Sequence, residues 1–221
     1  MRIYKCDNLK FLLILLVVIG HFCDLYINDY VILKKIFIFV YAFHMPLFLF
    51  VTGLFQKKIS NYKEIPLKKI LFYIGLMYFM KASIFVVSGK YGLGYQFEAF
   101  AGGEGYWYLG VLIIYTFLLP MINKIKFNYL FVFSILLGIF VGYDNSIGDF
   151  LYLSKAIVFF PFYLFGYYFN NRRRELANFS SLKIFKIFAI IIILGFGIYC
   201  FYNIDYIYNF RMLFNGRNRS E

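Results

Sequence analysis

The sequence predicts an all-α protein, a polytopic transmembrane bundle of about seven helices. Of the 221 residues, 62% are hydrophobic and 24% are aromatic, whereas soluble domains average about 45–50% apolar residues. The apolar excess runs along the whole chain, and several runs approach the roughly 20 residues that cross a bilayer core. Successive connections alternate between basic and acidic, as in a chain that crosses a membrane repeatedly.

The apolar runs predict the helical segments in chain order. They cover residues 9–27, 36–55, 70–89, 106–123, 128–143, 151–169 and 184–202. The first run is longer than the apolar part of a secretory signal and lacks a small-residue cleavage site, so we expect it to stay in the protein. Because the connections are short, we expect residues 1–221 to form a single integral-membrane domain.

The charges of the connections predict the orientation. Those after segments 2, 4 and 6 are basic and include Lys57, Lys58, Lys68, Lys69, Lys124, Lys126 and Arg172–Arg174. Acidic residues collect in the others, at Asp29, Glu98, Glu104, Asp144 and Asp149. The positive-inside rule then places the N-terminus in the cytoplasm of a multi-pass protein of the plasma membrane. The net charge of +12 fits basic loops against anionic membrane lipids, and no soluble basic domain is present to bind nucleic acid.

Both histidines of the chain lie inside apolar segments, where an ionisable group is costly and points to a function. His21 is six residues from the end of segment 1, or about 9 Å at the rise of a helix. His44 is eight residues into segment 2, or about 12 Å. A short loop joins these segments, so we expect the two imidazoles at similar depth on neighbouring helices. Pro46 would free a backbone carbonyl near His44.

A neutral imidazole can take a proton from a hydroxyl, whose oxygen then attacks an activated acyl carbonyl. Asp24 follows His21 by three residues on the same helical face and would orient the imidazole or hold its proton. The alternatives are histidines that hydrogen-bond across helices and an Asp24 that merely ends its helix. Lys81 either snorkels to the membrane surface or faces the same cavity. Two histidines without cysteines or an acidic cluster make a poor metal site, so no metal is expected.

Four sequence blocks resemble the membrane acyltransferase 3 family, in the family's order. They are "DNLKFLLILLVVIGH" (7–21), "FHMPLFLFVTGLF" (43–55), "WYLGVLIIYTFLLP" (107–120) and "FFPFYLFGYYF" (159–169). Within the family, the chain looks most like the fucose 4-O-acetylase-like branch. The resemblance implies transfer of an acetyl or similar acyl group from a coenzyme A thioester, such as acetyl-CoA, to a sugar hydroxyl. The acceptor would be a glycan or a lipid-linked sugar, as in a cell-surface or exopolysaccharide precursor.

The resemblance also implies roles for particular residues. The family's essential first-helix histidine falls on His21 and its second-helix histidine on His44. A family arginine is replaced by Lys10, which keeps the charge but loses the bidentate geometry. Lys68 and Lys69 fill the second half of a basic motif before the third helix. Lys10, Lys68 and Lys69 would then attract the phosphates of the donor.

The chain departs from the family pattern at its C-terminal end, and two other functions stay open. Family members continue into further helices with a late Gly-x-x-Ser-type block and a third histidine. This chain ends before such a block, so we expect it to be incomplete at its C-terminal end. A non-catalytic remnant of an acyltransferase is therefore one alternative. The other is a transporter or flippase of a lipid-linked sugar, although such folds often contain inverted repeats and the sequence contains no evident repeat.

Overall fold

The described secondary structure of the chain is helical, with turns and short loops between the helices. The computed structural model describes residues 4–27, 29–91, 106–143 and 150–171, with five further residues between 195 and 203. Over these residues it contains six α-helices and no strand, which confirms the predicted all-α class. The helices are α1 (Tyr4–Leu25), α2 (Val31–Phe55), α3 (Leu67–Tyr91), α4 (Trp107–Ile122), α5 (Phe127–Tyr143) and α6 (Leu153–Asn171).

Each of the first six predicted segments corresponds to one helix. The largest differences are at the starts of α1 and α2, which lie five residues before the predicted 9 and 36. Lys34 and Lys35 therefore belong to the first turns of α2 rather than to a connection. Hydropathy alone misses such a start, because lysine is a good helix former although it is charged. The seventh predicted segment, 184–202, lies almost entirely outside the described residues.

Among the described helices, three are long and apolar enough to cross a bilayer. These spans are Asn8–Leu25, Val31–Phe55 and Leu67–Lys90. Three further apolar helices are shorter, at Trp107–Ile122, Phe127–Val141 and Leu153–Phe169. The lengths and composition are those of a helical membrane protein.

The chain divides into two compact units, residues 1–56 with 162–221 and residues 57–161. In the first unit, α1 and α2 pack against each other in opposite directions. Cys23, Ile27, Phe37 and Ile38 form the buried cluster near the turn that joins the two helices. At the other end of the pair, the Lys10 ammonium lies 3.7 Å from the centre of the Phe55 ring.

The end of α2 also meets the second half of α6, and glycines on both helices allow their backbones to approach closely. A Cβ atom at Gly53 would collide with the backbone of Tyr163 and Tyr167, and one at Gly166 would collide with the backbone of Phe50. Small residues at such crossings are typical of helix packing in membranes.

In the second unit, aromatic side chains hold α3, α4 and the first half of α6. The Tyr115 hydroxyl donates to the Ala156 carbonyl at 2.7 Å, and the Trp107 and Phe159 rings stack 5.5 Å apart. Tyr152, in the short turn before α6, has a left-handed backbone with φ of 58°. Gly110 of α4 leaves room for the Tyr152 ring, since a Cβ there would lie 2.5 Å from it.

The connection between α2 and α3 is folded rather than extended. Asn123, after α4, donates to the Ile59 carbonyl at 2.7 Å and ties this connection to the α4–α5 turn. The Glu64 carboxylate accepts the Ser60 N–H and the Asn61 side-chain amide. These bonds, led by that from Ser60, hold the pKa of Glu64 below its usual range. The lysines of this basic connection are therefore displayed on a defined loop.

Candidate active site

His44 is the more constrained of the two histidines. It lies in α2 and is only 3% exposed. Its Nδ1 atom donates to the Val40 carbonyl, one turn earlier, at 2.8 Å. Because a carbonyl can only accept, Nδ1 carries the proton of the neutral ring and Nε2 carries the lone pair. The helix therefore fixes one tautomer, in which the basic nitrogen is on the side of the ring away from the Val40 carbonyl.

His21 has a different environment, on the exposed side of α1 near its end. Its imidazole meets the Tyr41 ring edge to face, with centroids 6.4 Å apart and planes at 85°. Among the described residues, no side chain gives His21 a hydrogen bond or an ion pair. This aromatic contact joins the exposed imidazole of α1 to α2.

Tyr41 joins the two histidines and was not predicted from the sequence. Its ring lies 4.7 Å from the His44 ring and packs on Phe37 at 4.1 Å. Gly20 of α1 faces the same ring, and a Cβ there would lie 2.8 Å from its Cε2 atom. One signal was present in the sequence: Tyr41 precedes His44 by three residues, and so shares its face of the helix.

These contacts also place the histidines at similar levels of the helix pair, as predicted, but for another reason. The expected 12 Å for His44 assumed a helix that begins at residue 36. With α2 beginning at Val31, the histidine is 13 residues along it, or about 20 Å. The similar level of the two histidines follows instead from Tyr41. This residue lies beside His21 and is about 4.5 Å along the axis of α2 from His44.

The other predicted site residues lie on α1 and at the start of α3. Asp24 is half-buried one turn after His21, and no hydrogen bond or ion pair joins these two described side chains. Lys10 lies near the opposite end of the helix pair, over Phe55. Lys68 and Lys69 are exposed in the first turn of α3, in the second unit, where the Lys69 ammonium lies 5.5 Å from the Tyr73 ring.

A family model described as an acyltransferase domain, that of the acyltransferase 3 family, matches residues 3–217. The chain belongs to this family. The match covers both histidine-bearing helices and makes the protein a membrane acyltransferase in general terms. No curated protein and no solved structure matches the chain, and its place in the fucose 4-O-acetylase-like branch stays a prediction.

Lys81 of this acyltransferase does not snorkel to the membrane surface. Its side chain is fully buried, and its ammonium lies 5.0 Å from the Tyr106 ring, 5.7 Å from Tyr78 and 5.9 Å from Tyr152. Tyrosine faces stabilise a desolvated cation, by about 2 kcal/mol in favourable cases. The snorkelling alternative is therefore wrong, and Lys81 is a buried charge that links α3 to the start of α4.

The site offers proton transfer and hydrogen bonding as its chemistry. Within the described part of the chain, no group of three His, Cys, Asp or Glu side chains is placed to hold a metal ion. The acyltransferase instead brings together two imidazoles and a tyrosine ring on α1 and α2. An imidazole is suited to accept a hydroxyl proton and return it within one reaction cycle.

Proposed function

We propose that this acyltransferase moves an acetyl group from acetyl-CoA to a hydroxyl of a sugar in a cell-surface or exopolysaccharide precursor. The observation that carries the proposal is the meeting of His21 and His44 around Tyr41, in the helices where the family match begins. The pair supplies a base that can be oriented toward a hydroxyl, while no nucleophile or metal needs to be invoked.

In the proposed reaction, His21 takes the proton of the sugar hydroxyl as its oxygen attacks the thioester carbonyl carbon. The carbon–sulfur bond then breaks, and the coenzyme A thiolate receives a proton from the imidazolium. The products are an O-acetyl ester and free coenzyme A, and the histidine returns to its neutral form. His44, with its lone pair on Nε2, positions the acceptor by accepting a hydrogen bond from a hydroxyl. Donation from this nitrogen to a developing oxyanion would require the protonated ring.

The donor's phosphates are proposed to meet Lys10, Lys68 and Lys69. All three would be cytoplasmic if the N-terminus is inside, as the basic connections predict. Lys10 and His21 are 11 residues apart on α1, or about 16 Å along the axis. An extended phosphopantetheine arm covers such a length, so phosphates near Lys10 are compatible with a thioester near His21. Asp24 would act from the turn beyond His21, by stabilising its protonated form.

The proposal is tested by His21→Gln and His21→Ala in membranes supplied with labelled acetyl-CoA. Glutamine keeps hydrogen-bonding ability but cannot exchange a proton near neutral pH. Loss of a general base costs about 10²–10⁴ in rate, so both variants should incorporate almost no base-labile acetyl into glycan at normal protein abundance. Persistent transfer by the glutamine variant would contradict the catalytic role. A wild-type protein that neither transfers acetyl nor hydrolyses acetyl-CoA would favour the transporter or the non-catalytic remnant.

A further inference from the structure

We propose that Tyr41 is the positioning residue of the acetyl-transfer site, and that its ring, rather than Asp24, fixes the orientation of His21. This inference rests on the proposed function, because it assigns a role around the proposed base. A base must hold its lone pair toward the hydroxyl that it deprotonates, and a displacement of about 1 Å can cost about 100-fold in rate.

His21 has few partners among the described residues. The imidazole lies on an exposed side of α1, and its described contact is the edge-to-face packing with Tyr41 at 6.4 Å. Asp24 is the sequence's candidate for orienting this ring, but no hydrogen bond or ion pair joins it to His21 in the described structure. The aromatic contact is thus what distinguishes one rotamer of His21 from another.

Tyr41 is itself held in place by neighbouring side chains. Phe37 packs on one part of the ring at 4.1 Å, and His44 meets it at 4.7 Å with planes at 68°. His44 is in turn fixed by its bond to the Val40 carbonyl. Gly20 completes the enclosure, because any larger residue there would press on the ring edge. The ring therefore links the fixed position of His44 to the exposed side chain of His21.

The contacts with the two histidines assign the role to the ring of Tyr41. The contacts of Tyr41 with both imidazoles are edge-to-face ring contacts, which phenylalanine can reproduce. We therefore expect Tyr41→Phe to keep more than half of the turnover number. Tyr41→Leu keeps bulk but loses the ring, and should lower kcat about 10–100-fold while leaving the KM for acetyl-CoA within twofold.

Gly20→Ala tests the same relationship from the other helix. The added Cβ would lie 2.8 Å from the Tyr41 ring, so the ring must move although no functional group is lost. The variant should lower kcat in the wild-type background and have little further effect in the Tyr41→Leu background, because neighbouring residues that act through one contact are not additive. Phe39→Leu, an exposed aromatic residue of the same helix, is the matched control and should leave kcat unchanged.

A second measurement does not depend on acetyl transfer. Diethyl pyrocarbonate modifies neutral imidazoles, and the two histidines of the chain can be followed separately by mass spectrometry. Loss of the ring that packs against the imidazole in Tyr41→Leu should raise the modification rate of His21 several-fold, whereas Tyr41→Phe should leave it near the wild-type rate. Unchanged reactivity of His21 in Tyr41→Leu would overturn the inference even if the wild-type protein were inactive.

The outcomes separate the inference from the proposed function. An equal loss of kcat in Tyr41→Phe and Tyr41→Leu would show that the Tyr41 hydroxyl is the group that matters. It would overturn the inference that the ring positions His21. A larger loss of kcat in Asp24→Asn than in Tyr41→Leu would show that Asp24, and not Tyr41, orients His21. Normal kcat in Tyr41→Leu, at normal abundance and with an active wild type, would refute the inference and leave the acetyl-transfer proposal standing.

Discussion

The Nδ1 atom of His44 donates a hydrogen bond to the carbonyl oxygen of Val40, one helical turn before it in α2. This bond turns the basic Nε2 atom away from its own helix backbone. In a span of a membrane protein, where an ionisable side chain is costly, a fixed tautomer gives the imidazole a defined direction for its lone pair. We therefore predict that Nε2 is the atom of His44 that takes part in acetyl transfer.

His44→Asn and His44→Gln distinguish the roles of the two ring nitrogens of His44. Asparagine places an amide near the position of Nδ1, whereas glutamine reaches toward that of Nε2 and can accept a hydrogen bond there. If Nε2 positions the acceptor, His44→Asn should lower acetyl transfer at least about tenfold, and His44→Gln should lower it less. The measurement is initial-rate transfer at equal protein level. Two equally inactive variants with normal thermal midpoints would instead show that His44 exchanges a proton.

The main helices could be predicted from the sequence because each is an apolar run bounded by charged or polar residues. The closeness of His21 and His44 could also be predicted, since a short connection makes α1 and α2 neighbours. The start of α2 could not, because Lys34 and Lys35 are charged yet helical. The information that decides these cases is the pattern of one helix or the length of one connection.

The contacts that depend on two helices were not accessible from one sequence. Tyr41 is one of many aromatic residues in this chain, and its role becomes visible only beside Gly20 of α1. Lys81 is an ordinary intramembrane charge in the sequence, and only the positions of Tyr106 and Tyr152 show that it is buried. Helix periodicity gives the face on which a residue lies, but not which helix covers that face.

The orientation of the chain can be measured with single cysteines at exposed positions. Ser60 lies in the basic connection after α2, and Asp29 lies in the connection after α1. With the N-terminus in the cytoplasm, an impermeant maleimide added to intact cells should label Asp29→Cys and not Ser60→Cys. The background should lack the three native cysteines, and permeabilised cells should label both variants. The reverse pattern would place the N-terminus outside and remove the proposed access of the donor to Lys68 and Lys69.

The lysines at the start of α3 should affect the use of the donor more than the fold. Both side chains of Lys68 and Lys69 are exposed, so their replacement leaves no buried group unsatisfied. Lys68→Ala combined with Lys69→Ala should raise the KM for acetyl-CoA about tenfold, since charge-assisted bonds to phosphate contribute about 1.5 kcal/mol or more. Abundance and thermal midpoint should stay at the wild-type values.

Lys57→Ala with Lys58→Ala is the matched control for this prediction. It removes the same charge from exposed positions in the connection that precedes α3. A rise in KM confined to the Lys68 and Lys69 variant would indicate specific contacts with the donor. An equal rise in both variants would indicate general attraction by the basic loop, whose strength falls with added salt. An unchanged KM in the first variant would reduce these two lysines to signals for topology.

The crossing of α2 and α6 should be the position in the first unit most sensitive to a single methyl group. At Gly53 and Gly166, an added Cβ would collide with backbone atoms of the facing helix, which cannot rotate away as a side chain can. Overpacking of this kind typically costs about 1–3 kcal/mol. Gly53→Ala and Gly166→Ala should therefore each lower the thermal midpoint of the protein in detergent.

Gly75 of α3 provides the control, because a Cβ atom there would meet nothing within 4 Å. Alanine is the better helix former by about 0.5–1 kcal/mol, so Gly75→Ala should leave the midpoint unchanged or raise it. The contrast isolates the helix crossing from helix propensity, since all three changes are glycine to alanine within a helix. Equal midpoints for all three variants would mean that α2 and α6 do not approach closely at these glycines. A fall in Gly53→Ala and Gly166→Ala alone would identify the crossing as a contact on which the stability of the histidine-bearing helix α2 depends.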